Sequence, residues 1–378
     1  MSERGQPGVT PLETLDAIRR RPGMYIGNVH DSSGLHHMLW EVVSNVLDQY
    51  LAGRCRSATV TLHEGGGVSI EDDGEGIPVE VERGGVSLLE IVLTTLHASG
   101  TFDGHSPHVH AGLLGVGLVA VNALSSSLVV EVWRRGRHYR QGYRQGRPEG
   151  PVAAVGATDR QGTRLTFTPD PSIFKAPAFD ATLVGDRLRE LAFLFPGLAL
   201  HFADERRPRF CYERGVADYV AHLNRAFRPR HEPLACRGEQ GLLAVDAALQ
   251  WAEGGGQIVG FVNGLRTIDG GTHIKGLSHA LARMFFERTK VARTREGGQR
   301  RRVVDAMTRG LAAVVHVRHH DPTFDMPTRS KLTNPEVTLV VANVLTAGLR
   351  RFCQEQPEQA SAIIEGARLA LHGERQVP

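Results

Sequence analysis

The first 200 residues alternate helix-like segments with short strands that are joined by tight turns. Residues 57–63 and 68–72 alternate apolar and polar side chains around a three-glycine turn, which predicts a hairpin. Residues 128–133 and 137–146 predict a second hairpin, and 163–169 a further strand. Because a hairpin pairs its strands antiparallel, this pattern favours an α+β sandwich over a doubly wound parallel sheet.

A polar break at 206–209 separates this region from a second unit that begins near Glu213. The second unit shows strand-like segments at 242–252 and 257–263, a helix around 273–289, a strand at 311–320 and two terminal helices. The arginine-rich segment 292–302 is predicted to be a solvated loop. We therefore expect two domains, 1–212 and 213–378.

Composition excludes several classes of protein. The 378 residues include 44 Lys plus Arg and 41 Asp plus Glu, and a formal charge of +3 is too small to indicate a nucleic-acid partner. Four cysteines without a C-x-x-C pair encode neither a disulfide framework nor a zinc ribbon. The N-terminus lacks a signal peptide, and no apolar run approaches the length of a membrane span. A cytoplasmic protein without a membrane partner is expected.

Residues 39–50 predict a helix with two different faces. Leu39, Val42, Val43, Val46 and Leu47 form an apolar stripe. Glu41, Asn45 and Asp48 share the other face. Such a face is compatible with simple exposure to water. A carboxylate and an amide one turn apart can also orient a water molecule and contribute to a Mg²⁺ site, if phosphates are held nearby.

Two glycine-rich segments could provide such a phosphate site. The first, 72–78, reads DDGEGIP and follows a strand, so Asp72 could accept a hydrogen bond from an exocyclic amine; it could equally be a tight acidic turn. The second, 112–117, leads into an apolar helix and could present backbone N–H groups to an anion. A helix start packed against a sheet has the same pattern. The order of the motifs is more specific than either motif alone.

Taken together, the motifs resemble the ATPase region of the B subunit of DNA gyrase and topoisomerase IV, within the GHKL superfamily. The resemblance covers nearly the whole chain. The matching stretches are IRRRPGMYIG (18–27), GLHHMLWEVVSNVLDQYLAG (34–53), EDDGEGIPVE (71–80), LLEIVLTTLHASGTFD (88–103), GLLGVGLVAVNALS (112–125), RQGTRLTF (160–167), LRELAFLFPGL (188–198), NGLRTIDGGTH (263–273), and DPTF with TRSKLTNPEV (321–337).

The resemblance implies a Bergerat-type α/β sandwich followed by a ribosomal-protein-like α+β transducer domain, with ATP and Mg²⁺ as cofactors. It makes Glu41 the general base and Asn45 the metal ligand. Asp72 would read the adenine amine. The other residues implied to bind the nucleotide are Gly76, Ile77 and Thr163 beside Asp72, Gly112, Leu113, Leu114, Gly115, Val116 and Gly117 in the phosphate loop, and Arg134 at the pocket mouth. Arg329 corresponds to the transducer lysine that reaches the γ-phosphate.

The chain departs from the family pattern mainly around this site. Altered residues replace charged or donor groups of the family pattern at Ser44, Gln49, Glu75, Thr101, Leu114 and Pro327, and Ala111 replaces a glycine. Loss of one donor that stabilises developing charge costs about 10²–10³ in rate. Slow ATP hydrolysis is therefore expected, because Glu41 and Asn45 are retained. The alternative is a weakened paralogue that acts as a non-enzymatic binding or regulatory module.

The histidines offer competing metal hypotheses. His36 and His37 are expected to pack at the start of the Glu41 helix. His105, His108 and His110 have no identifiable fourth ligand for zinc.

The resemblance also bears on partners. It implies DNA and a gyrase A-type subunit as partners, and a homodimer that closes as an ATP-dependent gate. The N-terminal arm lacks an aromatic anchor in its first ten residues, so only a weak, nucleotide-dependent dimer is expected. The chain ends without the family's Toprim domain, so we expect no DNA cleavage by this polypeptide alone. It would be either an ATPase fragment or a naturally short paralogue.

Overall fold

The structure is a computed structural model that describes residues 11–80, 85–97, 115–175, 178–203, 208–289, 291, 297–326 and 329–373. The chain divides into two compact units, Met1–Cys211 and Tyr212–Pro378. The division lies one residue before the boundary expected after Tyr212.

The first unit is a mixed α+β structure around one large sheet. Its helices are α1 (Pro11–Arg20), α2 (Gly23–Ile26), α3 (Ser33–Leu51), α4 (Leu88–Thr94), α5 (Gly117–Ala123) and α6 (Ala181–Leu194). Its strands are β1 (Ser57–Leu62), β2 (Val68–Asp72), β3 (Ser125–Arg134), β4 (Arg137–Arg144), β5 (Arg147–Pro148), β6 (Ala153–Ala157), β7 (Gly162–Pro169), β8 (Ala199–Ala203) and β9 (Arg209–Phe210).

The strand order is β5-β4-β3-β7-β2-β1-β8-β9, and β6 pairs with β4. Both predicted hairpins, β1–β2 and β3–β4, are present and antiparallel. The β1–β2 turn depends on Gly65 and Gly66, whose φ values of 88° and 85° are unfavourable for other residues. The sandwich class predicted from the hairpins is therefore confirmed, and β1 and β8 add a parallel pair to this sheet.

The two faces of the sheet differ in chemistry, as the alternation of residues predicts. Ile70 of β2 and Leu165 of β7 are paired in register and are almost fully buried. Their neighbours Glu71 and Arg164 point to the other face and form an ion pair there. Arg164 also lies 3.4 Å from Glu131 of β3. The apolar face of the sheet contributes to the hydrophobic core, and the charged face can remain in contact with water.

Helix α3 contacts α5 and strand β2, and its apolar stripe is buried. The five predicted stripe residues, Leu39, Val42, Val43, Val46 and Leu47, are each at most 4% exposed. Full burial of one such side chain stabilises the fold by about 1.5–3 kcal/mol. The stripe therefore fixes which face of α3 carries the polar residues.

The second unit is also α+β. Its helices are α7 (Val216–Leu223), α8 (Thr272–Thr289), α9 (Gly297–Met307), α10 (Pro335–Glu355) and α11 (Pro357–Gly373). Its strands are β10 (Arg228–Pro229), β11 (Leu234–Gln240), β12 (Leu243–Glu253), β13 (Gln257–Val262), β14 (Leu265–Arg266) and β15 (Leu311–His319). The sheet order is β10-β12-β15-β13-β14, with β11 also on β12. One apolar core joins this sheet to α8, α10 and α11.

The prediction of a loop over residues 292–302 was wrong for its second half. Residues from Gly297 onward belong to α9, and 292–296 lie outside the described residues. The helix continues to Met307 because Val303, Ala306 and Met307 present a buried stripe at helical spacing, each at most 6% exposed. Arg300, Arg301 and Arg302 belong to this helix and are exposed.

Within the described ranges, no helix is both long enough and apolar enough to span a membrane.

Candidate functional site

Helix α3 places the predicted acid and amide one turn apart. Glu41 is only 8% exposed, although it is a carboxylate. The Asn45 side-chain nitrogen donates a hydrogen bond of 2.9 Å to the backbone oxygen of Glu41. This bond engages the amide nitrogen and leaves the amide oxygen for a ligand. The two groups therefore lie where a water molecule and a cation could both be held.

The Glu41 carboxylate lies against the start of α5. A Cβ atom built on Gly117, the first residue of that helix, would collide with the carboxylate. Only glycine permits this approach. On its other side, His37 Nε2 lies 3.3 Å from Glu41 Oε1.

The contact of His37 was not predicted from the sequence, where packing at the helix start was the expectation. Its position four residues before Glu41 is the signal that could have found it, because residues four apart share a helix face. The neighbouring His36 does pack as expected. It is 4% exposed, and its Nε2 accepts a hydrogen bond of 3.0 Å from the backbone N–H of Asp180.

Asp72 is the last residue of β2 and begins the turn that carries the DDGEGIP motif. Its Oδ1 accepts a hydrogen bond of 2.8 Å from the backbone N–H of Gly74. Burial of the carboxyl raises the pKa of Asp72 to about 6, and the neighbouring carboxylates Asp73 and Glu71 act in the same direction. Hydrogen bonds from the backbones of Gly74 and Thr163 oppose this shift of the pKa.

Thr163 of β7 lies directly beside Asp72, since the two residues are paired in register. The Thr163 hydroxyl oxygen accepts a hydrogen bond of 3.1 Å from the backbone N–H of Ile77. The structure therefore brings Thr163 beside Asp72 and Ile77, from which it is separated by about 90 positions in the sequence. Together they form one wall with a carboxylate, a hydroxyl and an apolar side chain.

Gly76 and Arg134 complete this wall. Gly76 has a φ of 78°, and a Cβ atom there would lie 3.0 Å from the carbonyl oxygen of Trp133. The Arg134 guanidinium donates hydrogen bonds of 3.1 and 3.0 Å to the carbonyl oxygens of Glu75 and Gly76. The turn is thus packed tightly against β3.

The structure describes part of the glycine-rich segment 112–117, which was predicted to bind phosphate. Gly115 has a φ of 65°, and its carbonyl oxygen accepts a hydrogen bond of 2.8 Å from the backbone N–H of His97. Val116 precedes α5 as its N-cap residue, and Gly117 begins the helix. Gly112, Leu113 and Leu114, and also Thr101 and Ala111, lie outside the described residues.

Three departures from the family pattern have visible partners. The Ser44 hydroxyl donates a hydrogen bond of 2.8 Å to the carbonyl oxygen four residues earlier in α3. Gln49 lies beside Gly74, and its Oε1 is 3.3 Å from the position that a Cβ on that glycine would take. Glu75 faces Arg54 at 3.6 Å.

Arg329 lies in the second unit, on the loop that precedes α10. It has a φ of 56°, and its guanidinium carbon lies 5.8 Å from the ring centroid of Phe324. The loop is attached to the start of α8, because the backbone N–H of Asp269 donates a hydrogen bond of 2.9 Å to the carbonyl oxygen of Ser330. Pro327 lies outside the described residues, as do His105, His108 and His110.

Two family models match the chain. Residues 30–173 match a family described as histidine kinase-, DNA gyrase B-, and HSP90-like ATPase, and residues 215–375 match a family described as DNA gyrase B. The 43K ATPase domain of Thermus thermophilus gyrase B, solved in complex with an aminocoumarin, is similar over 96% of each chain, with 34% identity and a TM-score of 0.81. This chain belongs to the DNA gyrase B family.

Other relatives agree with this assignment. The DNA gyrase subunits B of Thermotoga maritima and Chlamydia pneumoniae are 38% and 40% identical over 96% and 94% of this chain. The chain spans 59% and 46% of their respective lengths. A solved B subunit of the DNA gyrase from Myxococcus xanthus is 28% identical, with a TM-score of 0.80. The fold predicted from the resemblance, a GHKL ATPase domain and a transducer domain, is confirmed.

Proposed function

We propose that this chain binds ATP with Mg²⁺ in its first unit and hydrolyses it slowly, as the ATPase and transducer region of a type IIA topoisomerase B subunit. The observation that supports this most strongly is the Glu41 carboxylate, held beside Asn45 on α3 and directly against Gly117. A buried carboxylate at the end of a glycine-rich loop is suited to act on a water molecule close to a phosphate group.

Adenine recognition is assigned to the wall around Asp72. An ionised carboxylate accepts a hydrogen bond from the exocyclic amine of adenine, whereas guanine presents a carbonyl oxygen at the same ring position. The Thr163 hydroxyl and the backbone around Gly76 and Ile77 lie beside this carboxylate. The wall therefore favours ATP over GTP.

The residues present fit a magnesium ion that is bound together with the nucleotide. Mg²⁺ prefers oxygen ligands and usually binds one or two protein groups in addition to phosphates. The Asn45 amide oxygen is such a ligand. Among the described residues, no group of three or more His, Cys, Asp or Glu side chains could hold a metal on its own. When bound, Mg²⁺ would neutralise part of the phosphate charge.

Hydrolysis is assigned to Glu41. Its carboxylate takes a proton from the attacking water, as the oxygen of that water bonds to the γ-phosphorus and the bond to ADP breaks. His37, 3.3 Å from the carboxylate, helps to orient it. Neutral residues at positions 44, 49, 101 and 114 replace charged or donor groups of the family pattern, and we therefore expect slow turnover.

The second unit is assigned the transducer role. Arg329 carries a positive charge at the position of the family's phosphate-sensing lysine, and a guanidinium can bind two phosphate oxygens at once. We propose that the γ-phosphate, when bound, recruits Arg329 and favours a weak homodimer. A gyrase A-type subunit and DNA are the proposed partners of the assembly.

The test of the enzymatic proposal is a steady-state ATPase assay at saturating Mg²⁺, with and without DNA. Glu41→Ala should reduce the rate by about 10²–10⁴ and leave the Kd for ATP within about threefold, since a general base acts mainly on the transition state. Glu64→Ala removes an exposed carboxylate at the far end of the β1–β2 hairpin and serves as the matched control.

The same assay distinguishes ATP hydrolysis from the alternative, non-enzymatic function. ATP binding without any Glu41-dependent hydrolysis would support a non-enzymatic binding or regulatory module. Absence of ATP binding in the wild-type protein would remove both assignments.

A further inference from the structure

We propose that Arg134 is a positioning residue for adenine recognition, which holds the turn after Asp72 in the one shape that aims that carboxylate. This inference rests on the proposed function, because it concerns the same nucleotide site. In this role the guanidinium binds backbone carbonyl oxygens of the turn.

The Arg134 side chain is hydrogen-bonded to the turn that follows Asp72. One guanidinium nitrogen donates to two successive carbonyl oxygens, those of Glu75 at 3.1 Å and Gly76 at 3.0 Å. The side chain is 17% exposed, and its Nε lies 3.6 Å from a carboxylate oxygen of Glu80. A cation held by two carbonyls and a nearby carboxylate forms stronger hydrogen bonds than a neutral donor would.

The planar peptide group transmits the constraint that Arg134 places on the Gly76 carbonyl to the N–H of Ile77. The carbonyl of Gly76 and the N–H of Ile77 belong to one planar unit, so fixing one of them fixes the direction of the other. That N–H donates to the Thr163 hydroxyl at 3.1 Å. Arg134 therefore sets how the turn meets Thr163, the residue paired with Asp72.

The turn has little room to take another shape. Gly76 lies in the left-handed region, and its α-carbon faces the carbonyl oxygens of Trp133 and Gly162 closely enough that a methyl group would lie 3.0–3.1 Å from them. At the other end of the turn, the N–H of Gly74 donates to the Asp72 carboxylate at 2.8 Å. A change in the carbonyl directions would move this N–H, and with it the carboxylate.

The test compares Arg134→Gln and Arg134→Lys with the matched control Arg135→Gln. Arg135 carries the same charge and lies 2.8 Å from Glu80, but its side chain is 72% exposed. Hydrogen exchange over residues 72–80, measured without nucleotide, reports the shape of the turn. Calorimetric titrations with ATP and GTP report recognition of the base, and ATPase rates at saturation report chemistry.

For Arg134→Gln we expect faster exchange across the turn and an ATP affinity about tenfold weaker, a change typical of one lost charged hydrogen bond. GTP affinity should change less than about twofold, because guanine presents a carbonyl oxygen where adenine presents the amine that Asp72 would accept from. Any loss of ATPase rate at saturating ATP should be smaller than the loss of ATP affinity. Arg134→Lys should recover part of the ATP affinity, since an ammonium can donate to one of the two carbonyls. Arg135→Gln should behave as wild type.

Equal losses of ATP and GTP affinity in Arg134→Gln would overturn the proposal, because they would indicate contact with a part that both nucleotides share. Unchanged hydrogen exchange over 72–80 would also overturn it. If Arg134→Gln fails to fold, Arg134→Lys provides the same comparison. Wild-type protein that binds no ATP would instead refute the proposed function, and the exchange measurement would still decide the role of Arg134 in the turn.

Discussion

Replacement of Asp72 by asparagine should weaken ATP binding and stabilise the nucleotide-free protein. The amide keeps an oxygen that can accept from the Gly74 N–H, now 2.8 Å from Asp72 Oδ1. It lacks the negative charge that favours the adenine amine, and it can rotate to present a donor instead. We expect an ATP affinity at least about tenfold weaker, or about 1.4 kcal/mol.

The gain in stability follows from the pKa. Burial raises the pKa of Asp72 from 3.8 to about 6, so the folded protein binds this proton more tightly than the unfolded chain does. Above pH 6 the ionised carboxylate therefore destabilises the fold, by at most about 3 kcal/mol at 1.4 kcal/mol for each pKa unit. Asp72→Asn removes this cost, and we expect a gain of about 1–3 kcal/mol at pH 7.5. The gain should shrink as the pH falls from 6 towards 4, where the wild-type carboxyl is also neutral.

The measurements are urea unfolding at several pH values between 4 and 8, and calorimetric titration with ATP. Asp73→Asn is the matched control, because Asp73 is exposed and accepts from the backbone N–H groups of Arg56 and Ser57 at 2.8 and 2.9 Å. A variant at position 72 that is less stable at pH 7.5, shows a pH-independent difference, or binds ATP as wild type does would refute this reasoning.

Two further predictions concern the second unit. His273 is fully buried and its pKa is lowered to about 4 by burial, so the stability that depends on its neutral ring should be complete above pH 6.5 and fall by up to about 1.4 kcal/mol per pH unit towards pH 4. Urea unfolding should show a flatter profile over this range in His273→Asn, and an unchanged slope would contradict the assignment. Arg329→Ala should abolish the dimerisation that a non-hydrolysable ATP analogue induces, and should change the Kd for ATP much less. Analytical ultracentrifugation measures the dimer. A dimer that forms equally with and without nucleotide, in both wild type and Arg329→Ala, would contradict the proposed role of Arg329.

The sequence predicted those parts of the fold that depend on local periodicity. The stripe from Leu39 to Leu47 predicted the buried face of α3, and the glycine turns predicted both hairpins. The loop expected at 292–302 was wrong from Gly297 onward, because the buried stripe that ends at Met307 makes this arginine-rich segment helical. Apolar spacing decides whether such a segment packs, and exposed arginines are compatible with a helix.

Less of the geometry of the site could be predicted from the sequence, because this geometry depends on the pairing of strands that are far apart in the chain. The contact between Asp72 and Thr163 requires the register of β2 on β7, which no local pattern specifies. The hydrogen bonds of Arg134 to backbone carbonyls 58 and 59 residues earlier have no sequence signature. By contrast, His37 could have been found, since it precedes Glu41 by four residues in a helix that was predicted.

Gly117 has no side chain, and this determines how a single mutation could change the site. The glycine begins α5 and touches the Glu41 carboxylate, yet the helix itself gains stability from alanine at most positions. A single added methyl group would therefore displace the carboxylate proposed as the general base, whereas Asp72 and Thr163 of the proposed adenine wall lie on strands β2 and β7. Under the proposed function, replacement of Gly117 by alanine is thus the smallest change that would turn an ATP-hydrolysing protein into one that only binds the nucleotide.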